Sequence, residues 1–281
     1  MTSDDAAPEA SRAGKSESPA IDVSVAHHAR IYDYLLGGKD NYAADREFAE
    51  AVREIYPGIA VTARANRAFL GRAVRYLAGE AGIRQFLDIG TGIPTAENTH
   101  QVAQAIAPES RVVYVDYDPI VLSHARALMV SNSEGATDYI DADLRDTDTI
   151  LAEASQLLDF SNPVAVTLIG ILQAIPDADD PHGIVATLMD AVPAGSYLAI
   201  CHPGSDLLGW ETERRVTDVS KRMVGDQHYF RPLDQVARFF ACLDLVQPGI
   251  VRAEEWRPDP GDAADKSALW AAVGRKREGT R

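Results

Sequence analysis

The chain has 281 residues, 46% of them hydrophobic, with a formal net charge of −15 at pH 7. That is enough apolar material for one large α/β domain or two small ones. The negative balance opposes a phosphate backbone and an anionic lipid surface, so it argues against nucleic acid or membrane as the main partner. Neither a run of about 18 apolar residues nor an N-terminal apolar stretch occurs, so no span and no signal peptide are expected.

Residues 1–20 are rich in Ser, Ala, Asp, Glu and Pro and poor in large apolar side chains, the composition of a disordered tail. From Ala29 to Val52 the pattern predicts two helices broken at Gly37-Gly38, the second capped by Asp40 or Asn41 and ended by Pro57-Gly58. Thr62 caps a third predicted helix that runs to about Ala78. After Gly82 strands and helices alternate. Strands are predicted at 85–89, 111–115, 137–140, 164–169 and 197–201, and helices at 95–106, 119–130, 147–157 and 181–191. Two more helices near 209–223 and 232–240 and closing strands near 243–246 and 269–273 complete the chain. Such alternation means a doubly wound, mostly parallel sheet, with ligands beyond the carboxyl ends of its strands.

The segment FLDIGTGIP, Phe86 to Pro94, reads as a strand ending in Asp88, a tight turn Gly90-Thr91-Gly92, and a following helix. Two more acidic strand ends follow, Asp116 in RVVYVDYDP and Asp143 in YIDADLRD, spaced 28 and 27 residues apart. A dinucleotide wants G-x-G-x-x-G for its pyrophosphate. Here the third position is Thr95, and Asp88 precedes the turn, where it would oppose a diphosphate. Carboxylates instead suit the ammonium, ribose diol and adenine amino group of S-adenosylmethionine. Asp116 is placed for the ribose. Asp143 and the Leu144 N–H are placed for the adenine edge. Asp118, followed by Pro119, reads as a helix cap.

FLDIGTGIP, VVYVDYDP and DADLRD resemble the first three motifs of class I S-adenosylmethionine-dependent methyltransferases, and ALWAAVGRKR resembles the last, antiparallel strand of that fold. HHARIYDYLLGGKDNYAADRE with FLDIGTGIPTAENTHQVAQ is similar to an actinobacterial methyltransferase family first catalogued as a domain of unknown function. The resemblance implies a seven-stranded sheet over 82–276. It also implies that residues 21–81 form a helical lid. Asp88, Gly90, Thr91 and Gly92 would line the methionine part of the cofactor, and Tyr117 would pack on the adenine. The end of the fourth strand, followed by Gly170, would face the transferred methyl. Many amine-directed members carry an Asn or Asp with a Pro-Pro turn there. This chain has Gly170-Ile171-Leu172-Gln173.

Tyr34, Tyr42 and His202 are the candidates for a general base. Arg64 and Arg67 are candidates for the cofactor carboxylate. The histidines show no metal-ligand spacing, and Cys201 and Cys242 fit reduced thiols in the cytoplasm. Acidity and a helical lid point to a small-molecule acceptor. A non-catalytic S-adenosylmethionine-sensing module and an NAD-type oxidoreductase are the alternative readings.

Overall fold

The structure, a computed structural model, describes residues 22–94, 97–128, 131–225, 227–261 and 265–278. The expected tail 1–20 and the helix start at Thr95 lie outside them. Strand β1 (Gln85–Ile89) is buried along its whole length, as a central strand covered on both faces must be. It pairs in parallel with β2 (Arg111–Asp116) on one side and β4 (Ala165–Ile169) on the other. β3 (Ala136–Asp141) extends the first side, and β5 (Tyr197–Pro203) the second. The order β3-β2-β1-β4-β5 then continues antiparallel through β8 (Leu269–Lys276) to β6 (Leu243–Leu245). The chain reverses its direction of travel between β1 and β4, so the crevice opens beyond these two strand ends. One strand exceeds the expected seven: the two-residue β7 (Val251–Arg252), antiparallel to β8. It is too short to carry an alternation pattern of its own.

Alternate side chains of each strand face opposite layers. Leu87, Val113, Leu168 and Ile200 pack with Ile150 of α6 (Thr147–Ala154) and Leu188 of α7 (Pro181–Asp190). Phe86, Val112, Tyr114 and Ala165 pack with Phe69, Ala73 and Val74 of α3 (Ile59–Arg75). Helix α3 begins three residues before the predicted cap at Thr62. Its Arg72 donates to the carbonyls of Trp256 (2.9 Å) and Ala253 (2.7 Å), fixing it to the far end of the chain. The remaining helices of the layers are α4 (Thr99–Ile106) and α5 (Pro119–Leu128), followed after β5 by α8 (Ser205–Leu208), α9 (Trp210–Met223) and α10 (Leu233–Arg238).

A third apolar cluster joins α1 (His28–Leu35) and α2 (Ala43–Ile55) to α3 and α9 through Ile31, Leu35, Phe48, Val52, Ala63, Val216 and Val219. The predicted cap of α2 falls one or two residues later than expected, at Tyr42, whose N–H donates to Asp45 at 2.8 Å. Asp45 also faces Arg30 at 3.0 Å, both side chains being almost wholly buried. It takes the His27 N–H as well, at 2.9 Å. One carboxylate therefore ties the chain before α1, α1 itself and the start of α2 together.

Candidate active site

The C-terminal strand ends and the helices of the third cluster enclose a cavity of about 290 Å³. Its floor is Asp88 and the Gly90-Thr91-Gly92 turn after β1, Asp116 and Tyr117 after β2, and Ile169 to Ile171 with Gln173 after β4. Its roof carries Tyr32 and Leu35 of α1, Phe48 and Val52 of α2, and Val216 of α9.

The floor is set by local chemistry. Gly90 sits at φ +78°, and a Cβ there would stand 2.5 Å from the Ile171 side chain, so no other residue fits without displacing the β4 loop. Gly92, at φ +65°, has nothing within 4 Å of where its Cβ would be. Asp88 accepts from Thr99 Oγ1 at 2.6 Å and Thr167 Oγ1 at 2.7 Å. Asp116 accepts the N–H groups of Gly92 (2.9 Å) and Asp118 (3.0 Å), holding the β1 turn against the β2 end. Burial pushes both carboxyls above the usual range, against the pull of these hydrogen bonds.

Asp88, Gly90, Thr91, Gly92, Asp116, Tyr117 and Gly170 all line the cavity. Asp143 and Leu144 do not. Asp143 takes three hydrogen bonds from Arg145, the shortest 2.6 Å, and the guanidinium holds its carboxyl below the usual range. Leu144 is buried in the core. Asp118 accepts the Ile120 N–H at 2.8 Å, the cap expected of it.

The three candidate bases lie elsewhere. Successive helical residues turn by about 100°, so Tyr34 points away from the face that Tyr32 presents. Its hydroxyl donates to Glu50 at 2.6 Å outside the cavity. Tyr42 is exposed, with the Arg30 guanidinium 5.3 Å from its ring centre. His202 is not in a loop. β5 runs on to Pro203 because β8 pairs with it that far, and His202 is fully buried. Its Nδ1 is 3.0 Å from the Pro203 carbonyl and its Nε2 2.9 Å from Arg231 Nη1. Arg231 can only donate, so Nε2 accepts and the ring is neutral. Burial and Arg231 push its pKa down to about 3. Of the two arginines, Arg67 lines the cavity and Arg64 is exposed.

The cavity also gathers Tyr32, Asn66, His27, His28 and His228, none of them chosen from the sequence. His28 and His228 lie with ring centres 4.6 Å apart. Asn66 follows the Ala65–Phe69 pattern of α3, and a polar residue on that buried face is the signal that could have found it.

A family model for S-adenosyl methyltransferases matches residues 14–277. The chain belongs to this family. The methyltransferase is 45% identical to a DUF574 family protein of Streptomyces avermitilis, at a TM-score of 0.86 over 91% of this chain and 99% of that one. It is 39% identical to a candidate methyltransferase of Thermobifida fusca, at a TM-score of 0.83 over 94% and 100%. An O-methyltransferase family protein of Burkholderia thailandensis shares the fold at 15% identity and a TM-score of 0.50, over 84% of this chain and 60% of that one. No curated protein matches. The enzyme is a methyltransferase that uses S-adenosylmethionine, and neither alternative reading is favoured. The residues present fit that cofactor: two carboxylates at the strand ends suit its cationic and hydroxyl groups, Arg67 suits its carboxylate, and Asp88 would repel a diphosphate. Among the described residues no helix is long and apolar enough to cross a membrane.

Proposed function

We propose that this methyltransferase acts on a small molecule enclosed between the strand ends and the N-terminal helices. The reading is carried by one observation: the glycine turn with Asp88 and Asp116 opens into the same cavity that the apolar faces of α1, α2 and α9 roof. In this reading Asp88, Gly90, Thr91 and Gly92 hold the methionine end of the cofactor, and Gly170 faces it from β4. Asp116 takes the ribose hydroxyls. Tyr117 covers the adenine, and Asp143 with the Leu144 N–H is kept for its edge, although neither lines the cavity. Residues 21–81 supply the lid. Bound S-adenosylmethionine would supply a sulfonium methyl that the acceptor's nucleophile attacks in line while the thioether sulfur leaves, giving methylated acceptor, S-adenosylhomocysteine and a proton. The chain's own contribution is to orient the two reactants and exclude water. The free thiols of Cys201 and Cys242 fit a reducing, cytoplasmic setting.

Calorimetry of the full chain with S-adenosylmethionine, S-adenosylhomocysteine, NAD and NADP tests the cofactor side, and only the first two should bind. Removing residues 1–45 should abolish retention of S-adenosylhomocysteine while removing 1–20 leaves it intact. Equal affinity in the 1–45 deletion would show that the segment is no lid. Incubation of metabolite extract with methyl-labelled cofactor then identifies the acceptor.

A further inference from the structure

We propose that Asn66 and Gln173 form the seat of the methyl acceptor, which presents a neutral O–H or N–H donor to their amide oxygens from an otherwise apolar body. This rests on the methyltransferase reading above and adds the chemistry of its second substrate.

The two amides are oriented by their partners. Asn66 is only 8% exposed and lines the cavity. The Tyr32 hydroxyl donates to the Ala63 carbonyl at 3.1 Å, so its oxygen is left to accept, and Asn66 Nδ2 donates to it at 2.9 Å. Gln173 Nε2 donates to the Gly170 carbonyl at 2.5 Å, and a carbonyl can only accept. Each nitrogen therefore has one N–H engaged; flipping Gln173 would set its oxygen against the Gly170 carbonyl, and flipping Asn66 would cost Tyr32 its bond to Ala63. What remains is Asn66 Oδ1 and Gln173 Oε1, both buried and both without a hydrogen-bond partner. Unpaired buried acceptors are rare in folded proteins, and two that line one cavity are ready to take a donor from what occupies it. Tyr32 keeps this arrangement at any working pH, since burial pushes its phenol up to about 12.

Both amides lie beside Gly170. A Cβ on Gly170 would lie 3.3–3.6 Å from the Asn66 amide atoms, and Gln173 is anchored on the Gly170 carbonyl. Gly170 directly follows β4, next to the switch-point crevice. Two buried acceptors without a partner favour a group that donates. Charge selects a neutral one: Arg67 lines the same cavity, and both Asp88 oxygens are engaged by Thr99 and Thr167. The surrounding wall, Ile31, Leu35, Val52, Ile169, Val216 and Phe230, is apolar.

The test compares 1-naphthol with 1-methoxynaphthalene, which keeps the ring and replaces the donated hydrogen by methyl. Each is titrated into the full chain loaded with S-adenosylhomocysteine. The hydroxyl compound should bind about fivefold or more tightly than the ether. Gln173→Met and Asn66→Leu should each erase that preference while S-adenosylhomocysteine affinity stays within about twofold. Tyr32→Phe should weaken the preference too, by freeing the Asn66 amide to turn. Should Asn66→Leu fail to fold, Gln173→Met decides alone. Equal or undetectable binding of the two naphthalenes, or a preference that survives in the variants, overturns the proposal. So does a loss of S-adenosylhomocysteine affinity on Gln173→Met, which would give the oxygens to the cofactor. Silence of the unaltered chain toward S-adenosylhomocysteine would instead sink the cofactor reading itself.

Discussion

The floor and the roof of the cavity are held by different physics. The floor carboxylates sit at the ends of strands whose two faces are packed, and their oxygens are engaged close by: Asp88 by two threonines, Asp116 by two backbone N–H groups. The roof is a layer of helices with one apolar face, closed by the Arg30–Asp45 pair and touching the β2 end where His27 Nδ1 lies 2.9 Å from Asp118. A preorganised floor can bind the cofactor without rearrangement. A roof fastened at few points can open to admit an acceptor. The comparison predicts that damage to the roof spreads little into the sheet, and that damage to the floor costs binding more than folding.

The strongest test of that separation is Asp45→Ala. It leaves the Arg30 guanidinium buried without its carboxylate, and breaking such a pair costs about 3–5 kcal/mol. Arg30 is 1% exposed and Asp45 is fully buried, so solvent offers little relief. In a chain of this size that should lower the melting temperature by roughly 10 °C. Hydrogen exchange should show residues 28–55 losing protection first while β1, β2 and β4 keep theirs. Uniform loss across both regions would mean that roof and floor fold as one unit.

On the floor, Asp116→Ala should weaken S-adenosylhomocysteine binding by about 10- to 150-fold, the value of a charge-assisted hydrogen bond of roughly 1.5–3 kcal/mol. Calorimetry reads it directly. A melting temperature that falls as far as in Asp45→Ala would show instead that Asp116 chiefly holds the Gly92 turn in place.

The same division explains what the sequence made legible. FLDIGTGIP and VVYVDYDP carry their chemistry within a few consecutive residues, so the floor could be read with its glycines and carboxylates in place. The roof depends on helical phase: Tyr32 and Tyr34 are two residues apart, and only the packing partners of α1 decide which faces the cavity. Asn66 and Gln173 become notable only once Tyr32 and Gly170 commit their nitrogens. His202 was misread because the length of β5 is set by β8, whose Leu269 pairs with Pro203 from far along the chain. Two-residue β7 offered no pattern at all.

His202 also gives the sheet an acid sensitivity of its own. Its pKa falls from 6.5 to about 3 on folding, through burial and Arg231. The unfolded chain therefore takes up a proton that the folded chain refuses. Stability is full above pH 6.5 and is lost as pH falls from there toward about 3. At pH 5 the loss should be about 2 kcal/mol. Urea titrations at pH 7.5 and pH 5 should show it, and His202→Gln should remove the pH-dependent part whatever it does to absolute stability. An unchanged difference between the two pH values would place the acid-sensitive group elsewhere.

Asp118 stands where the two regions meet, and it separates them most finely. Oδ1 accepts the Ile120 N–H at 2.8 Å, and Oδ2 lies 2.9 Å from His27 Nδ1. Burial raises its pKa, but the His27 and Ile120 contacts outweigh that and hold it below 3.8, so its contribution is present above pH 3.8 and is still intact at pH 5, where His202 already acts. Asp118→Ala removes both contacts and should cost about 1 kcal/mol, the usual value of a lost cap. Asp118→Asn keeps an oxygen for the cap and gives up only the charge facing His27. It should therefore melt close to the unaltered chain, while hydrogen exchange quickens around His27. Neither change should move S-adenosylhomocysteine affinity by more than about threefold, because the ribose is assigned to Asp116. If Asp118→Ala costs as much affinity as Asp116→Ala, that assignment is wrong. If only Asp118→Asn costs affinity, the charge that fastens the roof matters to the cofactor more than the cap does.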